Sequence, residues 1–422
     1  METIVLFSLL VGILLLGAPV SVAMILSSAA SLALSNLPVN VLAERLLGAI
    51  NSYTLMAVPF FIAAAVIMNR SGVTRHILDF AACLIGHRHG GTAQVNVLAS
   101  LFFSGMSGSA TADVASQGRM LIPRMKQEGY DAPFAAGVTA AASIISSIVP
   151  PSIIMIIYGS VTNTSIGGLF FGGIIPGIIL FVFLIAIVHV LSARRGYPKG
   201  ERQSWKQTLP VMLRALPALF APVLILGGIR FGMVTPTEAG VIACVYGLFL
   251  GTVVYREITP RSFVSIMEES VVATAVPMFI IASSASFGFA LTITGFGFMM
   301  NDVMTGITEN PVLFMIITLL ILFAVGLFLE STSALLIFVP LFAPLAQSYG
   351  IPDIQYGLLM IVALMLGTLT PPVGLQSFIA SDIAGISIIK IDIWYFIAAI
   401  LAVGLLIALF PSLTMLLPST FI

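Results

Sequence analysis

The sequence predicts an all-α integral membrane protein that consists of two repeats of inverted topology. Hydrophobic residues make up 59% of the 422 residues and charged residues only 8%, against roughly 25% charged in a soluble domain. Apolar segments of the length that a membrane-spanning helix needs, about 20 residues, recur along the whole chain. Several motifs also occur twice in the same order. A soluble globular protein is therefore excluded, and no nucleic-acid partner is expected.

The duplication is visible in three pairs of motifs whose members are separated by nearly the same number of residues, close to half of the chain. The pairs are residues 57–68 (AVPFFIAAAVIM) with 275–286 (AVPMFIIASSAS), Pro19 with Pro236, and Pro150-Pro151 with Pro371-Pro372. In a chain this apolar, two copies of one unit are typical of secondary transporters.

The apolar segments give the order of the predicted helices. They lie near residues 3–36, 52–69, 132–192, 213–254, 271–290, 311–346, 354–381 and 391–416. The first is interpreted as a span and not as a cleaved signal, because Met-Glu-Thr-Ile lacks a positive n-region. Amphipathic stretches at 40–50, 72–86 and 261–270 are expected at the membrane interfaces, where they would link or brace the spans. The longest polar stretch, 192–207, is a loop.

The charges orient these segments. If each copy crosses the membrane five times, the second copy is inverted relative to the first. With the N-terminus outside, all but Arg45 and Arg230 of the 17 Lys and Arg residues fall on the inner side, as the positive-inside rule requires. We therefore expect repeats at 1–192 and 211–422, a cytoplasmic connecting loop at 193–210, and two periplasmic termini.

A re-entrant hairpin is predicted in each copy. Small and hydroxyl residues at 104–113 interrupt the segment of about 91–124, and Glu330-Ser-Thr-Ser interrupts the segment of about 311–346. Such breaks suit hairpin tips better than spanning helices. The first hairpin would open to the cytoplasm and the second to the periplasm. Taken singly, each break is also compatible with a simple kink or a packing contact, but both occur in both copies.

The two Pro-Pro pairs predict broken spans. A proline removes a backbone donor and frees a carbonyl one turn earlier. The carbonyls freed at 146–149 and 367–370 are hard oxygen ligands suited to Na⁺, and the half-helices that follow present their positive ends to an anion. Hairpin tips and broken spans that meet at one depth would bind a cation and a carboxylate side by side.

Five polar residues in the apolar segments need separate interpretations. Glu330 either serves the site, by binding a cation or by hydrogen-bonding the substrate, or caps the second hairpin arm. Asp113, in the first turn of an arm, is favoured as a structural partner of the helix dipole. Thr235-Pro-Thr-Glu238 is a capping box. Asp382 is expected close to water, and His189 is expected to be packed or solvated without metal-ligand spacing.

These motifs together resemble the large membrane subunit of tripartite ATP-independent periplasmic (TRAP) transporters. The resemblance extends over essentially the whole chain. The motifs that carry it are AVPFFI at Ala57, SGSATAD at Ser107, IVPPSI at Ile148, GGIIPG at Gly172, TPTEAG at Thr235 and LTPPVG at Leu369.

The resemblance implies a Na⁺-coupled importer of an organic acid in the bacterial inner membrane, working by an elevator movement. The implied substrates are sialic acid, C4-dicarboxylates and related sugar acids. It further implies two protein partners, a small membrane subunit with four spans and a periplasmic substrate-binding protein, with membrane lipid around them. No cofactor is expected apart from Na⁺ as the coupling ion.

The resemblance also implies residues for two Na⁺ sites and a substrate site. The first Na⁺ site would comprise Ser104, Ser107, Gly108, Ser109, Ser146 and Pro150. The second would comprise Glu330, where many relatives carry the shorter Asp, with Ser331, Thr332, Gly367, Thr368 and Thr370. The substrate would contact Ser107, Ser109, Ser146, Ser147, Ser152, Glu330 and Ser331.

Two other functions remain open at this point. One is a one-component carboxylate or ion transporter of the same superfamily, which shares hairpins and inverted repeats. The other is an intramembrane serine protease, because Gly105-Met-Ser-Gly108 matches a GxSG motif and His189 could serve as a base. That enzyme would leave the duplication unexplained, so we do not expect an enzyme. Cys83 and Cys244 are expected to be reduced thiols.

Overall fold

The computed structural model describes residues 2–35, 37–38, 40–200 and 205–421, without the side chains of Trp205 and Gln207. Within these ranges the chain is helical and contains no strand apart from one isolated bridge between His89 and Lys199. The predicted all-α class is therefore confirmed. Arg202, in the predicted cytoplasmic loop, lies outside the described residues.

The helices of the first copy follow one another at short intervals. They are α1 (Glu2–Leu15), α2 (Val20–Leu34), α3 (Asn40–Ile50), α4 (Ala57–Arg70), α5 (Val73–Ile85), α6 (Gly91–Ser107), α7 (Ala110–Gln127), α8 (Ala132–Ser143), α9 (Ile145–Ile148), α10 (Ile153–Thr162) and α11 (Ile166–Arg194).

The second copy repeats this order. Its helices are α12 (Trp205–Arg230), α13 (Pro236–Phe249), α14 (Pro260–Ile293), α15 (Phe296–Ile307), α16 (Pro311–Gly326), α17 (Ser331–Ser348), α18 (Asp353–Leu369), α19 (Leu375–Ala384), α20 (Trp394–Leu409) and α21 (Ser412–Phe421). The pair α6 and α7 corresponds to α16 and α17, α8 with α9 corresponds to α18, and α10 corresponds to α19.

The copies differ at two places. The chain bends by 63° between α3 and the turn that leads into α4, whereas the equivalent α14 is one helix of 34 residues. The amphipathic stretch 261–270 thus runs without a break into its span, because no helix-breaking residue lies between Pro260 and Pro277. Conversely, α11 is a single helix of 29 residues, while α20 and α21 meet at a bend of 64°.

Many of the helices could cross a bilayer. In the described part of the chain, six have the length and apolar composition of a membrane span, or up to nine if each strongly bent pair counts as one. One of the six is the continuous stretch Ala132–Thr162, in which α8, α9 and α10 follow one another through the first Pro-Pro pair. This agrees with an integral membrane protein.

Packing divides the helices into two groups. In the first group, the half-helix that follows each Pro-Pro pair packs against helices of the other copy. Helix α10 packs against α17 and α18, and α19 packs against α7 and α8. Each copy thereby completes the other, and α11 and α20 pack together beside them. The second group contains α1, α2, α4, α13 and α14. The two groups touch where α14 packs against α17 and where α4 packs against α6. Helix α5 packs against α6 and against α12, which in turn packs against α13.

The first residues after α11 are fastened to the first group. Arg195 and Asp392 form an ion pair with 2.5 Å between Nη2 and Oδ2. The Tyr197 hydroxyl donates to Asp131 Oδ2 at 2.7 Å, and Gly90 N donates to the Pro198 carbonyl at 3.1 Å. The connection between the copies therefore starts as part of the interlocked group.

Candidate functional site

The tip of the first hairpin is a two-residue turn. Helix α6 ends at Ser107, Gly108 has φ +59°, and Ser109 caps α7 by accepting from Ala112 N. A Cβ at Gly108 would lie 2.6 Å from the Pro151 carbonyl oxygen, so only glycine fits both the conformation and the space. The Gly108 carbonyl accepts from Ile153 N at 3.1 Å. The hairpin tip is thus bonded to the first residue of α10.

The first broken span supplies the facing residues. Helix α9 ends at Ile148, the Pro150-Pro151 peptide is cis, and α10 begins after Ser152. Because Pro151 has no N–H, the Ser147 carbonyl loses its helical donor, and the Ser152 hydroxyl replaces it at 2.8 Å. Of the carbonyls predicted to be free at 146–149, that of Ser147 therefore keeps only one lone pair for a ligand.

A buried carboxylate joins the tip to the break. Asp113 is 1% exposed and accepts hydrogen bonds from Ser107 Oγ, at 2.5 Å, and from Ser146 Oγ. The sequence placed Asp113 at a helix N-terminus and favoured a structural role, so this residue is missing from the predicted sites. Its spacing from Ser107 is local and visible in the sequence, but its contact with Ser146 spans 33 residues.

The second hairpin tip uses a different acid. Glu330 is the N-cap of α17, and its Oε2 accepts from Ser333 N at 3.0 Å while its Oε1 accepts from Ser331 Oγ at 3.1 Å. Glu330 is the counterpart of Ser109, and the counterpart of Asp113 is Ala334. The cap, one of the two interpretations of Glu330, is therefore observed. Among the described contacts, its carboxylate is bonded within its own helical turn.

The second broken span brings three of the predicted residues together. Thr368 Oγ1 donates to the Met365 carbonyl at 3.0 Å and Thr370 Oγ1 to the Leu366 carbonyl at 2.8 Å, which leaves the lone pairs of both hydroxyls unused by these bonds. Gly367 packs against Gly326, since a Cβ built on Gly367 would lie 2.5 Å from the Gly326 Cα. The end of α16 is therefore held directly against the break of α18.

The chemistry of these groups is that of hard oxygen donors. The described residues contain no cluster of three His, Cys, Asp or Glu side chains that could hold a metal ion. Hydroxyl, carbonyl and carboxylate oxygens, by contrast, suit alkali and alkaline-earth cations. Lys and Arg are absent from both hairpin tips in the sequence. The arrangement can therefore hold a small hard cation, with helix ends facing an anion.

The other polar residues have structural partners. The capping box of Thr235 and Glu238 is confirmed, with the Thr235 amide donating to Glu238 Oε2 at 2.7 Å. Asp382 is exposed on the surface of α19, and its position close to water stays a prediction. Neither cysteine forms a disulfide in the described structure, and Cys244 donates to the Phe60 carbonyl at 3.0 Å.

A serine protease site is not formed. His189 Nδ1 lies 3.2 Å from Gln94 Nε2, near the start of α6. Ser107 follows Gln94 by thirteen residues, so it lies about 20 Å further along the helix at 1.5 Å per residue. The Ser107 hydroxyl is instead bonded to Asp113. The two residues of the protease hypothesis thus stand at opposite ends of α6.

Comparison with known proteins agrees with this arrangement. A family model described as "Tripartite ATP-independent periplasmic transporter, DctM component" matches residues 7–413. The sialic acid TRAP transporter large permease of Vibrio cholerae is 39% identical over 97% of each chain. The C4-dicarboxylate TRAP transporter large permease of Pseudomonas aeruginosa is 36% identical, over 82% of this chain and 81% of its own.

A solved structure is similar in fold alone. The YdaH transporter of Alcanivorax borkumensis aligns over 89% of this chain and 86% of its own, with a TM-score of 0.57 and 14% identity. The resemblance noted in the sequence is confirmed by the family match and by these permeases. Membership of this family implies a small membrane subunit and a periplasmic binding protein as partners. The chain therefore belongs to the DctM family, which comprises the non-enzymatic, multi-pass inner-membrane permeases of tripartite transporters.

Proposed function

We propose that this chain takes up an organic acid anion together with Na⁺, accepting the substrate from a periplasmic binding protein. The observation that carries the proposal is the buried carboxylate of Asp113 between Ser107 of a hairpin tip and Ser146 of a broken span. An organic anion is supported by relatives that are named for sialic acid, C4-dicarboxylates, 2,3-diketo-L-gulonate and isethionate.

The first Na⁺ site would form around Asp113. A buried carboxylate is costly unless a positive charge compensates it. Among the described ion pairs none involves Asp113. Because the hydroxyls of Ser107 and Ser146 donate to the carboxylate, oxygen lone pairs stay available to a cation, although Ser107 Oγ already accepts from Ser109 N at 3.4 Å. Na⁺ bound here would tie the hairpin to the broken span.

The second Na⁺ site would form at the break of α18. Thr368 and Thr370 retain lone pairs, and the Gly367 backbone lies against the end of α16. Glu330 would act by holding Ser331 and Ser333 in the first turn of α17, close to the tip. An ion at this break would therefore depend on the order of the second hairpin.

The substrate carboxylate would lie at the positive ends of the half-helices. Helix α10 begins at Ile153, whose amide donates to the Gly108 carbonyl of the first hairpin tip, and packs against α17 of the second copy. Helix N-termini and hydroxyls bind anions without a basic side chain. Bound Na⁺ would supply the remaining positive charge, which makes anion binding depend on the cation.

An elevator movement is consistent with the packing. The interlocked group containing α6 to α11 and α16 to α20 would move against the group of α1, α2, α4, α13 and α14, across the contacts of α4 with α6 and of α14 with α17. The two hairpins belong to the same interlocked group, so the site would travel as one body.

Reconstitution tests the proposal. Proteoliposomes that contain the chain and its small membrane subunit are loaded with K⁺ buffer, and uptake of radiolabelled sialic acid or succinate is measured after dilution into Na⁺ buffer or into the same K⁺ buffer. We expect uptake only with Na⁺ and only when the binding protein is added. Na⁺-driven uptake of equal rate without the binding protein would instead favour a one-component transporter, and equal uptake in K⁺ would contradict Na⁺ coupling.

A further inference from the structure

Helices α6 and α7 and the consecutive helices α8 and α9 carry polar side chains along their shared length around the first site. On α6, Thr92, Asn96, Ser100, Ser104 and Ser107 are spaced by four, four, four and three residues, which places them on one face about 6 Å apart. Two further stripes face them. They are Asp113 and Gln117 on α7, and Thr139, Ser143 and Ser146 on α8 and α9. All ten are buried.

Hydrogen bonds connect the stripes at several positions along their length. Ser100 Oγ donates to Gln117 Oε1 at 3.1 Å, two positions along the α6 stripe from the contact between Ser107 and Asp113. At the next position of the α6 stripe, Asn96 Nδ2 donates to Thr139 Oγ1 at 2.6 Å. These residues therefore form one continuous polar file between α6, α7 and the pair α8 and α9. The file runs from the hairpin tip toward the start of α6.

The file ends at the protein surface. Thr92 Oγ1 donates to Glu128 Oε2 at 2.5 Å, and Glu128 Oε1 accepts from Arg124 Nε at 2.9 Å with both side chains partly exposed. Lys126 lies at the same end of α7. By the positive-inside argument this end of the hairpin faces the cytoplasm. The file thus connects the Asp113 site with one side of the membrane.

Two buried atoms of the file lack a protein partner. Asn96 is 0% and Gln117 is 1% exposed, and neither Asn96 Oδ1 nor Gln117 Nε2 has a hydrogen-bond partner in the described structure. The orientation of the Asn96 amide is determined by Thr139, whose own hydroxyl hydrogen is donated to the Ala135 carbonyl. Buried donors and acceptors of this kind are normally satisfied by ordered water.

The second copy has no such file. The positions that correspond to the stripes of the first copy are nearly all apolar, namely Leu313, Ile317, Ile321, Val325, Phe328, Ala334, Phe338, Met360 and Leu364, with Gly367 opposite Ser146. Since the backbone elements are repeated, the helical fold does not require these polar residues. Because the polar residues occur in the first copy alone, they indicate a function on one side of the membrane.

We propose that the polar file holds ordered water and is the route by which Na⁺ leaves the Asp113 site for the cytoplasm. Oxygen atoms at each helical turn, from Ser107 past Ser100 and Asn96 to Thr92, would replace part of the hydration shell, and Glu128 would receive the ion at the surface. Because the second copy is apolar along this path, exit is directed to one side. The inference rests on the proposed function, since it presumes Na⁺ at Asp113.

The test separates the route from the site. Asn96→Leu and Gln117→Met keep side-chain size but remove the polar atoms, and Thr318→Val is the matched control because its buried hydroxyl lies in the second hairpin. Each variant is purified with the small subunit. Na⁺ affinity is measured from the Na⁺-dependent rise in thermal stability, and Na⁺ dissociation is followed by stopped-flow tryptophan fluorescence after dilution into K⁺.

A substitution in the route changes the rates of Na⁺ entry and Na⁺ exit by the same factor and therefore leaves the Na⁺ affinity unaltered. We expect dissociation to be about tenfold slower in both file variants, corresponding to about 1.4 kcal/mol on the barrier, with unchanged Na⁺ affinity and with wild-type kinetics in Thr318→Val. Intact Na⁺ binding with unchanged dissociation rates in the file variants overturns this inference alone. Absence of any Na⁺-dependent stabilisation in the unaltered protein overturns the proposed function and the route with it.

Discussion

The hydroxyl of Ser146 donates a hydrogen bond to the carboxylate of Asp113, although the two residues belong to different segments of the first copy. Asp113 lies in the first turn of α7, just behind a hairpin tip, and Ser146 lies in α9, just before a Pro-Pro break. The position of the tip therefore depends on the geometry of the break. A cation that binds at this contact would order both segments at once, which is the physical basis for coupling ion and substrate.

Replacement of Asp113 by Asn is expected to weaken Na⁺ binding. The substitution removes the negative charge and turns part of the group into a donor that faces the hydroxyls of Ser107 and Ser146. Loss of a hydrogen bond to a charged group costs about 1.5–3 kcal/mol. The Na⁺ concentration for half-maximal uptake should therefore rise about 10- to 100-fold. Asp382→Asn, at an exposed position of α19, is the control and should behave as wild type.

Removal of one hydroxyl from each proposed ion site should abolish Na⁺-dependent uptake. The double variant Ser107→Ala with Thr370→Ala deletes one oxygen at the tip of the first hairpin and one at the second Pro-Pro break, while each single variant should only raise the Na⁺ requirement. Thr252→Ala is a matched control, because Thr252 makes the same bond to the carbonyl four residues earlier but is exposed. Uptake by the double variant at the wild-type rate would refute the assignment of both sites.

An added methyl group at Gly367 should destabilise the protein. Its Cβ would lie 2.5 Å from the Gly326 Cα, so α16 and α18 would have to move apart. Overpacking of this kind costs about 1–3 kcal/mol, and the melting temperature of the purified protein should fall. Gly227→Ala on α12 meets no atom within 4 Å and should be neutral or slightly stabilising. Equal melting temperatures for the two variants would contradict the close packing of α16 on α18.

The orientation of the chain can be measured with reporters. The distribution of Lys and Arg predicts that a C-terminal alkaline phosphatase fusion is active and that a C-terminal green fluorescent protein is dark, because the terminus would be periplasmic. The same reporters inserted at residues 201–204 should give the opposite result. If the C-terminal green fluorescent protein were fluorescent, the chain would have the opposite orientation, and the polar file would open to the periplasm.

The helix breaks could be predicted because each depends on local residue chemistry. Gly108 supplies a positive φ, Ser109 and Glu330 cap the arms that follow, and the Pro-Pro pairs cannot continue a helix. The capping box at Thr235 was predictable for the same reason. By contrast, the sequence predicts two segments where the structure has the one long helix α14. Its amphipathic start and its apolar continuation differ in composition, but both have the same helical backbone.

The role of Asp113 could not be predicted from its neighbours. In the sequence it is an acid in the first turn of a helix, for which the helix dipole is a sufficient explanation. Its partner Ser146, and the file of Asn96, Gln117 and Thr139, appear only when α6, α7 and α8 pack side by side. Buried hydrogen bonds between helices depend on tertiary packing, which the period of one helix does not specify.

The sequence by itself therefore determined the membrane class, the duplication, the four breaks and the family, because composition, repeat spacing and proline and glycine chemistry act locally. Only the tertiary structure decided which groups meet at those breaks. It placed Asp113 and not Glu330 between a hairpin and a broken span, and it packed α10 and α19 each against the other copy. The reason is that hydrogen bonds and close packing join residues that are distant in the chain, so their partners follow from how the two copies interlock.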